Sequence, residues 1–166
     1  SVSFIATDMA GNDSQVKNDS ERVNIVDNIS PTRQVLYPQA KQIVDADTLL
    51  TKSEYNYGEG TNSILYYDGD VTVTFKVTEA NFYAEDVDIR VNNKEQAPTN
   101  WQQSGDTWTG SITLSGDGDY VITMTYTDRS TNQMQTYQSE KIVIDTINPV
   151  INVSYGNGDV KKTAGE

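Results

Sequence analysis

The stretch Val71-Thr72-Val73-Thr74-Phe75-Lys76-Val77 decides the fold class, with apolar residues at every second position and polar ones between. In an extended chain successive side chains point to opposite faces, so this period of two makes the inward and outward faces of a half-buried strand. Outward from it, the same pattern predicts inward faces at Val87, Ile89 and Val91, then at Trp108, Ile112 and Leu114. Two more follow, at Tyr120, Ile122, Met124 and Tyr126, and at Ile142 and Ile144. Turn-forming clusters separate them at Asp68-Gly69-Asp70, Ser104-Gly105-Asp106 and Gly116-Asp117-Gly118,. Five or more short antiparallel strands joined by such turns predict an all-β, two-sheet sandwich. The stretch from Gln39 to Ser63 is the least legible, and Val44 to Leu50 reads as an irregular loop or a short helix.

The chain has 166 residues, room for one sandwich of about 100 residues plus additional segments,. Apolar residues make up 36%, and the shortfall is filled by Ser, Thr, Asn, Asp and Gln, which suits short, half-exposed strands,. Twenty-four acidic residues against 12 basic ones give a net charge of −12, so a nucleic-acid backbone or an anionic membrane is repelled and neither is an expected partner,. Cysteine and histidine are both absent. That removes disulfides, thiol nucleophiles, Ser-His-Asp triads and nearly every zinc site, so no enzyme is expected. The opening SVSFIATD has neither a basic nor a long apolar region, so a secretion signal and an anchor are expected outside this stretch,.

The sequence repeats itself. SVSFIATDMAGN (1–12) aligns with VITMTYTDRSTN (121–132) at an offset of 120, pairing Thr7, Asp8 and Asn12 with Thr127, Asp128 and Asn132. SERVNIVDNISPTRQVLY (20–37) then matches SEKIVIDTINPVINVSY (139–155), with one residue inserted near Val26. A period this long belongs to whole domains in tandem rather than to a solenoid. The expected division is 1–28 as the last two strands of a preceding domain, 29–147 as a complete domain and 148–166 as the start of the next. Ser30-Pro31 and Asn148-Pro149 punctuate both junctions, since the residue before proline is held extended,.

Tyr120 opens a strand two residues after Gly118, which resembles the tyrosine corner of immunoglobulin-like sandwiches,. The runs VTVTFKVTEANFYAEDVDIRVNN (71–93), WQQSGDTWTGSITLSGDGDYVITMTYTDRSTN (101–132) and IVIDTINPVINVSY (142–155) together resemble the bacterial immunoglobulin-like repeats of large Gram-positive surface proteins. TDMAGN (7–12) resembles that family's Thr-Asp-x-Ala-Gly-Asn turn, whereas the second copy has Ser130-Thr131 in place of Ala-Gly. Gly116 stands where an aspartate is common, Ile122 where antibody domains have a cysteine, and strand 87–91 has no tryptophan, so the disulfide-pinned antibody type is excluded. The resemblance implies an immunoglobulin-like β-sandwich in a secreted or wall-anchored protein of a Gram-positive bacterium, acting as a non-catalytic spacer beside neighbouring repeats. The alternative it implies is an adhesin-type or carbohydrate-binding module for a host glycan or matrix protein.

Asp68, Asp70, Asp117, Asp119, Asp128 and Asp145 lie in turns or at a junction and offer the hard oxygen ligands that calcium takes,. Aspartate is equally a common turn former, and none of these positions has the spacing of a dedicated calcium loop. Trp101, Trp108, Tyr55, Tyr57, Tyr66, Tyr67 and Tyr83 could stack on sugars,. Trp108 is expected in the core, and Trp101, in a loop after Pro98-Thr99-Asn100, as the exposed ring that binds a ligand. The pairs Glu79 with Asp86 and Asp117 with Asp119 lack the cleft a glycosidase needs. A hairpin from 1–28 cannot bury Val2, Phe4, Val23 and Ile25 alone, so it is expected to pair with 149–155 of the same or another molecule, or to pack on the central domain.

Overall fold

A computed structural model describes residues 2–4, 9–10, 17–19, 27–52 and 62–151. Strands β1 (Val2–Phe4) and β2 (Lys17–Asp19) form an antiparallel pair. They are followed by β3 (Thr32–Leu36), β4 (Gln42–Asp45), β5 (Ser63–Tyr67), β6 (Val71–Thr78), β7 (Val87–Val91) and β8 (Lys94–Glu95). The rest are β9 (Gln102–Ser104), β10 (Thr107–Leu114), β11 (Gly118–Tyr120), β12 (Ile122–Tyr126), β13 (Tyr137–Gln138) and β14 (Lys141–Ile144). Among the described residues the helical content is one 3₁₀ turn, Ala84–Asp86, and no helix is long and apolar enough to cross a membrane. The chain is all-β, as the period-two pattern predicts.

One sheet has the order β3-β6-β10-β9. The other strands form two groups, β4-β5-β14-β11 and β8-β7-β12-β13. These groups meet along the chain, because β11 and β12 are separated only by Val121. There Asn92, from the β7–β8 turn, substitutes for a ladder partner: Val121 donates its N–H to Asn92 Oδ1 (2.9 Å) and accepts from the Asn92 N–H (2.9 Å). Among the described residues all strand pairings are antiparallel except β5 with β14, which run parallel from Ile64 opposite Lys141 to Tyr67 opposite Ile144.

The predicted inward faces meet in one core. Val71, Val73, Phe75 and Val77 are fully buried, and Val87, Ile89, Val91, Ile122, Met124, Tyr126, Ile142 and Ile144 face them. Each such side chain contributes about 1.5–3 kcal/mol on leaving water. The ion pairs Lys41–Asp68, Arg90–Asp88 and Lys141–Asp119 are exposed and screened by water, so the core holds the fold,.

Register defines two poles. Thr32, Thr78 and Thr107 lie side by side at the leading pole, where the chain enters β3. Tyr67, Gly118 and Ile144 lie together at the trailing pole, where the chain leaves β14.

The stretch read as a loop or short helix from Val44 to Leu50 divides: Val44 and Asp45 belong to β4 (Gln42–Asp45), an edge strand antiparallel to β5, and 46–50 are the loop. Asp45 ends the strand: its Oδ1 accepts from the N–H groups of Asp47 (3.1 Å) and Thr48 (2.9 Å) and from the Thr48 hydroxyl (3.1 Å). Those donors and the Lys52 ammonium hold the Asp45 carboxyl at about 2. Trp101 also departs from the exposed platform expected of it. It lies on Gly110, where an added Cβ would come within 2.8 Å of the indole, and its ring meets Phe82 edge-on at 5.1 Å. Trp108 stacks on Phe82 from another side, centroids 5.0 Å apart, partly buried against the core.

Candidate functional site

Residues 127–132 at the leading pole build a closed loop around Asp128. This carboxylate is 5% exposed, and its Oδ1 accepts from the backbone N–H of Ser130 and of Asn132, both at 2.8 Å. Its Oδ2 accepts from the Asn132 amide at 2.8 Å, and the Asp128 N–H donates to the Asn132 carbonyl at 3.0 Å. Thr131 is forced to a φ of 73°, a left-handed conformation in which a β-branched residue is strained,. The corresponding residue of the first copy is Gly11.

The loop is bonded to the segment that leads into the domain. The Asn132 amide also donates to the Asp27 carbonyl (3.0 Å), and the Asn81 amide donates to Asp27 Oδ2 (3.1 Å). Glu79, one step beyond the inward face Val71–Val77 and in phase with it, is 5% exposed and accepts from the Asn81 N–H at 2.7 Å. Asp27, Glu79 and Asp128 thereby converge, each offering an oxygen within 4.8 Å of the others. Arg129 is directed elsewhere, to Asp86 (3.0 Å) and Glu85 (2.7 Å), with its guanidinium 3.3 Å over the Tyr83 ring. A pocket of about 120 Å³ lies beside the carboxylates, lined by Asp27, Asn81, Tyr83, Asp128, Arg129 and Ser130.

Calcium–oxygen bonds of about 2.3–2.6 Å put ligands on opposite sides of the ion roughly 5 Å apart, so this donor set has the chemistry and spacing for a hard divalent cation.

Of the six aspartates considered for calcium, only Asp128 belongs to such a group among the described residues. Asp68 pairs with Lys41 (3.1 Å), and Asp70 is exposed in the same turn. Asp117 accepts from the N–H (3.0 Å) and hydroxyl (2.8 Å) of Thr146. Asp119 pairs with Lys141 (2.6 Å), and Asp145 accepts from the Ile147 N–H (3.0 Å). The proposed acidic pairs also separate: Glu79 joins Asp27 and Asp128, while Asp86 faces Arg129. Asp27 and Glu79 had a sequence signal, since Asp27 is the repeat counterpart of Asp145 and Glu79 continues an apolar inward face with a charge.

Among the described residues the aromatic side chains considered for sugar stacking do not assemble into an exposed platform. Tyr67 is buried with its hydroxyl on the Pro38 carbonyl (3.0 Å), Tyr66 is half-buried and Tyr83 lies under Arg129. Tyr55 and Tyr57 lie outside the described residues, as do Thr7, Asp8, Asn12, Val23, Ile25 and 152–155. Comparison with protein-family models, with curated proteins and with solved structures finds no match to this chain.

Proposed function

We propose that this chain is a non-catalytic structural repeat of the immunoglobulin-like kind, a spacer in the tandem array of a secreted or wall-anchored Gram-positive surface protein. The observation that carries this reading is that the chain enters at one pole, at Thr32, and leaves at the other, at Ile144, in extended strands at both ends. Copies joined in this way extend head to tail, so each domain adds reach.

Two features support the reading. The β1–β2 ladder pairs Ser3 with Asn18 and Phe4 with Lys17, while β12–β13 pairs Thr123 with Gln138 and Met124 with Tyr137, the same register 120 residues later. Tyr120 also behaves as a tyrosine corner, donating its hydroxyl to the Ser115 (2.8 Å) and Gly116 (2.9 Å) carbonyls just upstream,. A second element of the reading is a divalent cation at Asp27, Glu79 and Asp128, favoured by the convergence of three carboxylates on the segment joining two domains. A cation there would hold the joint straight. A glycan- or matrix-binding module is the weaker reading, because Trp101, Trp108 and Tyr67 are packed against protein.

The absence of cysteine allows a clean test. Dyes on Asn28→Cys and Asn148→Cys should report a separation greater than the roughly 26 Å length of an eight-residue strand, by single-pair energy transfer. A separation well below that length would put both ends at one pole and remove the spacer reading.

A further inference from the structure

The exit of the repeat and its entry carry the same turn. Asp145 Oδ1 accepts from the Ile147 N–H at 3.0 Å, and Asp27 Oδ1 accepts from the Ile29 N–H at 3.1 Å. A carboxylate bonded two residues ahead in this way fixes the course of the backbone. The isoleucines are equally open, 74% exposed at Ile147 and 72% at Ile29, so apolar burial does not distinguish the two turns. The aspartates do differ. Asp145 is exposed, and among the described residues its carboxylate takes no donor beyond Ile147. Asp27 is half-buried: its Oδ2 takes the Asn81 amide (3.1 Å) and its carbonyl the Asn132 amide (3.0 Å).

Both halves of such a contact are held by bonds within the sandwich. At the trailing pole the Asp145 N–H donates to the Tyr67 carbonyl (3.0 Å), and Thr146 donates its N–H (3.0 Å) and hydroxyl (2.8 Å) to Asp117 Oδ1. Asp145 therefore leaves β14 as a fixed extension of the domain. At the leading pole the Asn132 amide also donates to Asp128 Oδ2 (2.8 Å), and the Asn81 N–H donates to Glu79 (2.7 Å). Those bonds fix the two residues whose amides receive Asp27. An amide that donates to a carboxylate makes a charge-assisted bond, roughly twice as strong as one between neutral groups.

We propose that Asp145 belongs to two repeats at once. Its N–H bonds its own sandwich at Tyr67, while its carboxylate and carbonyl take the Asn81 and Asn132 amides of the repeat that follows, as Asp27 does here. The joint then contains no free linker, because the last residue held by one sandwich is the first residue held by the next. It is also directional: the preceding repeat supplies the aspartate and the following repeat supplies both amides. This inference rests on the spacer reading for the presence of a following repeat.

The test uses the full chain in tandem, residues 1–145 running on into residues 28–166 of a second copy, which puts Asp145 where Asp27 stands. Spin labels on Gln102→Cys in each copy, an exposed site in a chain without cysteine, report the distance between copies and its spread in calcium. The expected distribution is narrow. Asp145→Ala in the first copy should lose the narrow peak, and so should Asn81→Ala in the second copy. Asn81→Ala in the first copy should keep it, although the substitution perturbs its own sandwich in the same way. A broad distribution in the parent, a narrow peak that survives Asp145→Ala, or equal effects of Asn81→Ala in either copy overturns the shared aspartate and leaves the spacer reading intact. A mean distance below the roughly 26 Å of an eight-residue strand removes the spacer reading itself, a failure that the width does not report.

Discussion

Thr131 carries a conformation that its side chain opposes, and the bonds of Asp128 hold it there. Left-handed backbone costs a non-glycine residue about 1–2 kcal/mol, partly offset by glycine's larger entropy loss on folding. Thr131→Gly should therefore stabilise the chain by about 0.5–1 kcal/mol, seen as a higher urea midpoint with an unchanged slope. No gain would mean that the loop is relaxed.

The carboxylate cluster gives a sharper expectation. With calcium at about tenfold its dissociation constant, stabilisation is about 1.4 kcal/mol, or roughly 3 °C in melting temperature. An EDTA-stripped sample should gain this on addition of about 1 mM calcium, and Glu79→Gln should abolish the gain while still folding without calcium. An equal gain in Glu79→Gln would locate the ion elsewhere. Asp128 was legible as a candidate ligand from its turn. Its meeting with Asp27 and Glu79 was not, because each of those had a signal of its own but the three come from separate segments that only the folded chain brings together.

Among the elements, β6 was readable because one face is core and the other polar, so polarity alternates along the strand,. β5 was not, because Ser63-Ile64-Leu65-Tyr66-Tyr67 is apolar on both faces where it lies between β4 and β14. A strand apolar on both faces loses the period-two signal. The turn between β7 and β8 was missed for another reason: Asn92 and Asn93 adopt φ values of 50° and 64°, the left-handed pair of a tight hairpin, without the glycine that usually marks one,. The link from β10 to β11 is fixed at Tyr120, whose hydroxyl satisfies two carbonyls. Tyr120→Phe should cost about 1–2 kcal/mol, measured as a lower urea midpoint with the same slope. An unchanged midpoint would reduce the corner to a packing contact.

For the molecule as a whole, the acidic surface and the opposite poles act together. A net charge of −12 makes copies repel one another in solution, and on the spacer reading strands that enter and leave at opposite ends turn each repeat into length,. The segment leading into β3 is tied down by Asn81 and Asn132 through Asp27, and on the proposed tandem reading a joint held in this way resists bending. The most direct test of the spacer account is small-angle scattering of concatemers carrying two, three and four copies of residues 27–147, each supplying Asp27 to its own joint, in calcium. The account expects the maximum dimension to rise by an equal increment with each copy, as in a rod, and the joints to loosen in EDTA. Dimensions that grow only as the cube root of copy number would mean that the copies collapse onto one another, which contradicts it.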